Sequence, residues 1–560
     1  MRIIEPLTTT SERTDEPKAL PPVLGRLLRG TFWLALKTPL QAIFAFWSVP
    51  LILRAIGEDQ NGAYNFAWGF GFIQFLLEFG MRSALQRQVS EAWTRGDREG
   101  VDRAVACGAT FYAVVALIQI LALIGIAYFL LPHTDYRGGS YRLIVKLLWL
   151  QALTAPCFGL STVVSAVLQA ARKYDFIPRF ELLVICARFG ILIGGLGLKL
   201  NFFVIVIAQT VAQISLTLAP ALWVMDRELG YRPRWFKGVH WADFRALSKF
   251  SGFVFMIQLS VVLADKLDKT ILGFLLENPG PATTIYEVVS KPFMQVRQCG
   301  WMLSYLVMPA VAGLVAARDD KTIERLKYDG ARLLAALLLP IALLAGIYAR
   351  PFLLLWVGRY AEHAHLLQLF LVAALPLLIS VHVQMCIGMG DVRVVACWAL
   401  AGAAVNLVLS CVLTLAIGMP GVIWGTVLTT LVSNLIGPGI HVFRVLKIDL
   451  KTFFTRTLGA PLFGSVALIG TSAALAFTFP CEVKGATFFA KSWPLFAHLS
   501  VGCLAYALGY LAAPAGRGDL RALVRKLAGR TFPSDQSPPT LTEAVVLDEF
   551  VIEQVPLDEI

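Results

Sequence analysis

Charge is what this sequence has least of. Only 15% of its 560 residues are Asp, Glu, Lys or Arg, where a soluble domain carries about a quarter. Paired cysteines are missing too. The nine cysteines (107, 157, 186, 299, 386, 397, 411, 481 and 503) are scattered through apolar blocks with no C-x-x-C spacing, which leaves them as small apolar residues for helix packing. There is no P-loop, Gly-x-Ser-x-Gly elbow or His-Glu-x-x-His pair, which excludes the familiar ATPase, serine-hydrolase and zinc-protease chemistries. Gly388-Met389-Gly390 sits in a turn with no strand before it and is not a dinucleotide site. His363 and His365 read as loop residues rather than metal ligands. No catalytic residue, metal or cofactor is expected, and the loops on one side are too short for a catalytic domain.

What is present is apolar. Hydrophobic residues make up 57% of the chain and mean hydropathy is +0.68. They fall into blocks of about 20, each long enough to cross ~30 Å of hydrocarbon. The expected spans are 30–53, 60–80, 105–131, 143–170, 180–199, 202–224, 250–276, 283–315, 333–357, 364–388, 394–416, 420–442, 457–478 and 491–513. The fold class is therefore an all-α integral membrane protein with about 14 transmembrane helices. The first thirty residues are polar and include Arg2, Arg13, Lys18, Arg26 and Arg29, so the first span is expected to act as an uncleaved signal-anchor.

The net charge of +12 follows membrane topology, not nucleic acid: no basic stripe interleaved with aromatics occurs, and no nucleic-acid partner is expected. With the N-terminus inside, the cytoplasmic segments and tails hold about 34 of the 49 Lys and Arg residues, the outer loops about eight. Both termini are expected in the cytoplasm.

A weak repeat divides the chain. Tyr64 precedes Arg95-Gly96-Asp97-Arg98 in the first half, and Tyr286 precedes Arg318-Asp319-Asp320-Lys321 in the second, at separations of 31 and 32 residues (64 to 95, 286 to 318). This implies two pseudo-symmetric six-helix bundles around a central cavity plus two C-terminal helices. The expected divisions are a flexible N-terminus (1–28), a first bundle (29–226), a linker (227–248), a second bundle (249–443), two further spans (444–514) and a cytoplasmic tail (515–560). The basic stretch Arg517 to Arg530 suits the surface of anionic lipid.

Charges inside spans are costly and mark candidate functional residues. The cations are Lys37, Arg188, Lys266, Lys269, Lys291 and Arg297, which together could line a cavity able to hold a diphosphate. The acids are Glu78, Asp265 and Asp268, candidates for ion coupling. Asp265 and Lys269 share a helical face, and Glu78 is spaced to pair with Arg82. Arg54, Lys146 and Lys199, nearer helix ends, are placed to snorkel to the interface.

Three segments carry a family resemblance. The first runs from Arg54-Ala-Ile-Gly57 through Gly62-Ala63-Tyr64 and Leu76-Leu77-Glu78-Phe79-Gly80 to Arg95-Gly96-Asp97. The second is Asp265-Lys266-Leu267-Asp268-Lys269-Thr270 with Tyr286 downstream. The third is Gly388-Met389-Gly390-Asp391, then Asn406, then Gly421-Val422-Ile423-Trp424-Gly425-Thr426. In order and spacing these resemble the Wzx-like oligosaccharide flippase family of the multidrug/oligosaccharidyl-lipid/polysaccharide exporter superfamily, although Glu78 stands where that family usually has aspartate. The resemblance implies alternating-access translocation of an undecaprenyl-diphosphate-linked oligosaccharide across the bacterial inner membrane for surface polysaccharide synthesis. It implies coupling to an H+ or Na+ gradient or the membrane potential, with membrane lipids, a polysaccharide polymerase and chain-length machinery as partners. Two relatives share the fold, a lipid II flippase and a multidrug cation antiporter; Lys37 in an acid-free first span counts against the latter. From another class, a membrane glycosyltransferase or glycan polymerase needs acidic residues on substantial outer loops, for which Glu58-Asp59 is a weak candidate.

Overall fold

The computed structural model describes residues 22–171, 173, 176–236, 266–305, 307–481, 483 and 487–527, with a few positions between 255 and 264. No strand occurs among the described residues. Residues 1–21 of the expected N-terminal segment (1–28), residues 528–560 of the expected tail (515–560), most of the linker and Asp265 lie outside them.

The first helix, α1 (Pro22–Gly69), is two arms. At Gly57 the backbone leaves the helical region (φ 76°, ψ 179°), and nothing lies within 4 Å of where a Cβ would stand. The glycine is required by backbone conformation rather than by crowding. The first arm runs beside α6 (Phe176–Gly197): Lys37 pairs with Glu181 at 2.6 Å and the Phe44 and Phe189 rings stack at 4.4 Å. The second arm carries Phe66, and α2 (Phe72–Leu77) continues it.

A surface helix, α3 (Met81–Thr94), follows, burying Met81, Ala84, Leu85 and Val89 and leaving its other face polar. Three long helices, α4 (Arg98–Gly125), α5 (Gly138–Ala170) and α7 (Phe202–Arg227), complete the first bundle with α6. Their core contains Leu85, Leu123, Ile144, Leu147, Leu148 and Leu168.

The second bundle contains α8 (Asp268–Leu275), α9 (Pro279–Tyr305), α10 (Val307–Ala316), α11 (Asp320–Arg325), α12 (Ala331–Ile347), α13 (Ala349–Val357), α14 (Ala364–Val372), α15 (Ser380–Gly388), α16 (Arg393–Ile417), α17 (Pro420–Thr430) and α18 (Gly437–Val445). Leu272, Phe293, Phe370 and Met385 lie in its core. Two more long helices, α19 (Gly459–Thr478) and α20 (Phe488–Ala512), pack on α12 around Leu344, Leu468 and Tyr506. The last helix, α21 (Pro514–Leu527), is pinned by Asp519, which accepts from Arg332 and from the Tyr510 hydroxyl.

Among the described residues, eleven helical stretches are long and apolar enough to cross a membrane. One of them, Pro39–Leu77, spans two expected crossings joined at Gly57. The expected spans 250–276 and 283–315 are not among the eleven. The first lies partly outside the described residues, and the second carries Glu287, Lys291 and Arg297. Fourteen is therefore the reading of the sequence, and eleven is what length and apolarity give.

The repeat has a structural counterpart, shifted by one residue from the alignment of Arg95 with Arg318. Asp97 and Asp319 each cap the following helix, accepting from the N–H of Gly100 and Thr322. The residue before each is left-handed: Gly96 at φ 70° and Arg318 at φ 55°. Each turn also closes through the same bonds, Asp97 N–H to Ala92 O at 3.0 Å and Asp319 N–H to Leu314 O at 3.0 Å. Gly96 thus corresponds to Arg318, and the true separation from the tyrosines is 33 residues in both halves (64 to 97, 286 to 319). The Thr322 hydroxyl and backbone N–H bond Asp319 and hold its carboxyl below the usual carboxylate range.

A side chain in the left-handed region costs roughly 1–2 kcal/mol that glycine avoids. Arg318→Gly is therefore expected to raise the thermal unfolding midpoint of the purified protein, and Gly96→Arg to lower it. A midpoint that does not rise in Arg318→Gly, or does not fall in Gly96→Arg, would show that the two turns are not equivalent.

Candidate functional site

The bundles meet along the second arm of α1, where two glycines come into close contact. A Cβ on Gly62 would stand 2.0 Å from the carbonyl oxygen of Gly280, so neither chain can carry a side chain there. Around this point Asn61 Nδ2 donates to Thr284 Oγ1 at 3.1 Å, and Thr284 Oγ1 donates to the Glu58 carbonyl at 2.8 Å. Tyr136 and Thr283 hydroxyls lie 3.4 Å apart, and Arg359 pairs with Glu58. Trp356 Nε1 donates to the Phe46 carbonyl at 2.9 Å. These links lie at the end away from the basic loops. Near the basic loops, the ion pairs do not link the two bundles: Lys37–Glu181 lies within the first, Lys173–Glu228 and Arg232–Asp226 tie the first to the start of the linker, and Arg332–Asp519 and Arg456–Asp329 tie the second to the C-terminal helices. There too the Tyr231 hydroxyl donates to Asp102 at 2.8 Å, and burial and that carboxylate push the phenol well above its usual range.

Seven residues along α9 from Gly280, the seam holds a charged cluster. Glu287 and Lys291 stand four apart on α9, and Lys291 Nζ donates to Glu287 Oε1 at 2.6 Å. Lys269 reaches the other carboxylate oxygen, Oε2, from α8, and its Nζ also donates to Asn65 Oδ1 of the opposite bundle at 3.3 Å. The Glu287 side chain is 8% exposed and the two lysines 25% and 28%. The acid is sunk while both lysine side chains stay partly exposed. Glu287 was not singled out from the sequence; the signal was its i, i+4 spacing to Lys291 inside an expected span.

The other candidates are distributed. Arg188 donates to Gln213 at 3.2 Å while Gln209 bonds its carbonyl, within the first bundle. Arg297 lies over the Phe293 ring at 5.6 Å with its guanidinium 3.2 Å from Met294 sulfur, two turns below Lys291 on the same helix. Lys266 is exposed. Lys37 is committed to Glu181. Glu78 is buried and pairs with Arg82 at 3.2 Å, which also reaches Thr162. Asp268 is buried, accepting from the Tyr286 hydroxyl at 2.5 Å and Thr426 at 3.3 Å, with Asn406 nearby bonded to Thr429. Asp265 lies outside the described residues. Lys146 rests over Phe203 at 5.5 Å. The structure thus brings Lys269 and Lys291 together and leaves Lys37, Arg188 and Glu78 on the first bundle.

Comparison with known proteins follows this geometry. Residues 27–297, just under half the chain, match the family described as "Polysaccharide biosynthesis protein". A lipid II flippase MurJ in an inward closed conformation has the same fold, with TM-score 0.62 and 12% identity over 88% of this chain and 99% of that one. An inward-facing MATE multidrug resistance transporter gives TM-score 0.52 and 13% identity over 76% and 99%. A Vibrio cholerae MATE transporter gives TM-score 0.51 and 15% identity over 77% and 98%. No curated protein matches the chain.

Removing Glu287 strands two partly exposed lysines inside the seam, which costs less than a fully buried pair because water still reaches them. Glu287→Ala is expected to lower unfolding stability by about 2 kcal/mol, read by thermal unfolding in detergent, with Glu91→Ala, an acid of a surface pair, unchanged. The chain is a multi-pass membrane protein that shares the fold of the MurJ lipid II flippase and of MATE transporters, with a polysaccharide-biosynthesis signature over its first half.

Proposed function

We propose that the chain flips an undecaprenyl-diphosphate-linked oligosaccharide from the inner to the outer leaflet of the bacterial cytoplasmic membrane, supplying surface polysaccharide synthesis. The observation that carries this is the pair of partly exposed lysines, Lys269 and Lys291, at the seam between the bundles, with Arg297 on the same helix as Lys291. A diphosphate headgroup needs paired cations in a partly dry site, and ammonium and guanidinium groups supply them. The polysaccharide-biosynthesis match supports a glycan cargo.

The basic loops support an orientation with both termini and the Lys37 end of α1 toward the cytoplasm and the Gly62–Gly280 contact outward. In that orientation the outer end is sealed and the state is an inward-side one, as in the inward closed and inward-facing structures of similar fold. Alternating access then amounts to separating the bundles at Gly62–Gly280 and closing them at the basic end. Asp268 and Glu78 stay the candidates for ion coupling, each buried and hydrogen-bonded within one bundle. A multidrug cation carrier would need acids without lysine partners at the seam, and Glu287 has two.

Deletion should leave a lipid-diphosphate glycan accumulating on the cytoplasmic leaflet, measured by lipid extraction and leaflet labelling. Unchanged lipid intermediates with altered drug sensitivity would point to the antiporter instead. Arg297→Ala and Lys291→Ala are each expected to cut surface glycan at least tenfold with normal membrane levels; normal glycan in both single variants and the double variant would defeat the cationic-site reading.

A further inference from the structure

Glu287 poses a problem for a site that takes a diphosphate: the lysines that would grip the anion are already gripped. Two ammonium groups around one carboxylate leave a net charge of +1, half of what Lys269 and Lys291 offer alone. The carboxylate cannot step aside into water, because its side chain is 8% exposed and its position is fixed by α9. An incoming phosphate must therefore compete for the same ammonium protons. The lysines, a quarter exposed, can each turn some of their three donors toward the opening while staying near the acid.

We infer that Glu287 is a resident competitor for the substrate anion: it occupies the lysine pair when the site is empty, limits the affinity for diphosphate, and drives the anion off after transfer. This rests on the reading of the chain as a carrier of an anionic lipid. The competition also reaches the seam. Lys269 is shared between Glu287 and Asn65, which belong to opposite bundles. A phosphate that draws the Lys269 ammonium toward itself weakens the link to Asn65, so the empty site holds the bundles together and the loaded site loosens them. A carrier gains from a site that binds loosely, since a grip that is too tight stores the cargo instead of passing it on.

The test uses the full chain in nanodiscs of uncharged phosphatidylcholine, titrated with farnesyl diphosphate and separately with inorganic diphosphate. Wild type is expected to bind the prenyl form, and Lys291→Gln to bind it at least tenfold more weakly. Glu287→Gln, which keeps the side-chain volume and an acceptor oxygen, is expected to bind at least fivefold more tightly, chiefly through slower release, and to export less glycan. A merely structural role for Glu287 would weaken binding instead. Equal or weaker binding by Glu287→Gln, with lysine-dependent binding in wild type, overturns the competitor role alone. Should that variant unfold, Glu287→Asp decides: its shorter carboxylate reaches the lysines less well and must bind more tightly than wild type, and equal or weaker binding overturns the proposal. Absence of lysine-dependent binding in wild type overturns the anionic-lipid reading as well. Equal gains for farnesyl and inorganic diphosphate assign the site to the headgroup; a gain for the prenyl form alone, with none for inorganic diphosphate, overturns competition at the phosphate.

Discussion

A carboxylate clasped by two ammonium groups, Glu287 between Lys269 and Lys291, organises the middle of this molecule. An ion inside a membrane protein costs several kcal/mol unless it is paired or wet, so three charges at one depth constrain everything around them. They require α8 and α9 to run side by side, they place the lysines toward open space, and through Asn65 they draw in the second arm of α1. The same constraint recurs at smaller scale. Lys37 answers Glu181, Arg82 answers Glu78, and Asp268 accepts from the hydroxyls of Tyr286 and Thr426. Each of these three solutions uses partners from within one bundle, in contrast to Arg359–Glu58 and Lys269–Asn65, which cross the seam.

The seam is built on a different principle. Where the bundles touch most closely, Gly62 and Gly280 bring two backbones together with no side chain between them, and short polar groups of Asn61, Thr283 and Thr284 surround the contact. Small residues give close packing in an apolar solvent, where the hydrophobic effect offers no attraction between helices. Such a contact makes and breaks without side-chain rearrangement. Gly57, a few residues away, lets α1 reverse between a strut of the first bundle and the wall of the seam.

Much of this was legible in the sequence. Apolar block length gave the helices, and the Tyr64 and Tyr286 segments gave the two halves. The register of the repeat was misread by one residue because charge was matched to charge, Arg95 to Arg318. The backbone instead matches by conformation, the left-handed Gly96 to the left-handed Arg318. The site was half legible. Lys269, Lys291 and Arg297 stand out as charges in apolar surroundings, but Glu287 lay in the most polar span and looked like one more member of it. Its role depends on Lys269, eighteen residues earlier on another helix, and no local periodicity reports a contact between helices. Lys37 and Arg188 were read as cavity cations because charge inside a span is costly; Glu181 and Gln213 engage them from the first bundle, and Arg188 shares Tyr64 as a neighbour with Lys291.

A fold shared by lipid flippases and multidrug transporters does not choose its cargo; the groups at the seam do. For a cation the decisive group would be an acid facing the opening with its lone pairs available. Here the buried acids are spent: Glu287 on two lysines, Asp268 on two hydroxyls, Glu78 on Arg82. The lysines are spent too, but unequally, since two ammonium groups share one carboxylate and both keep exposed surface. The surplus at the seam is one positive charge, mobile between a fixed internal anion and whatever anion enters. That asymmetry, an acid locked in place and cations free to turn, is what a carrier needs to hold a phosphate at one stage of its cycle and surrender it at the next.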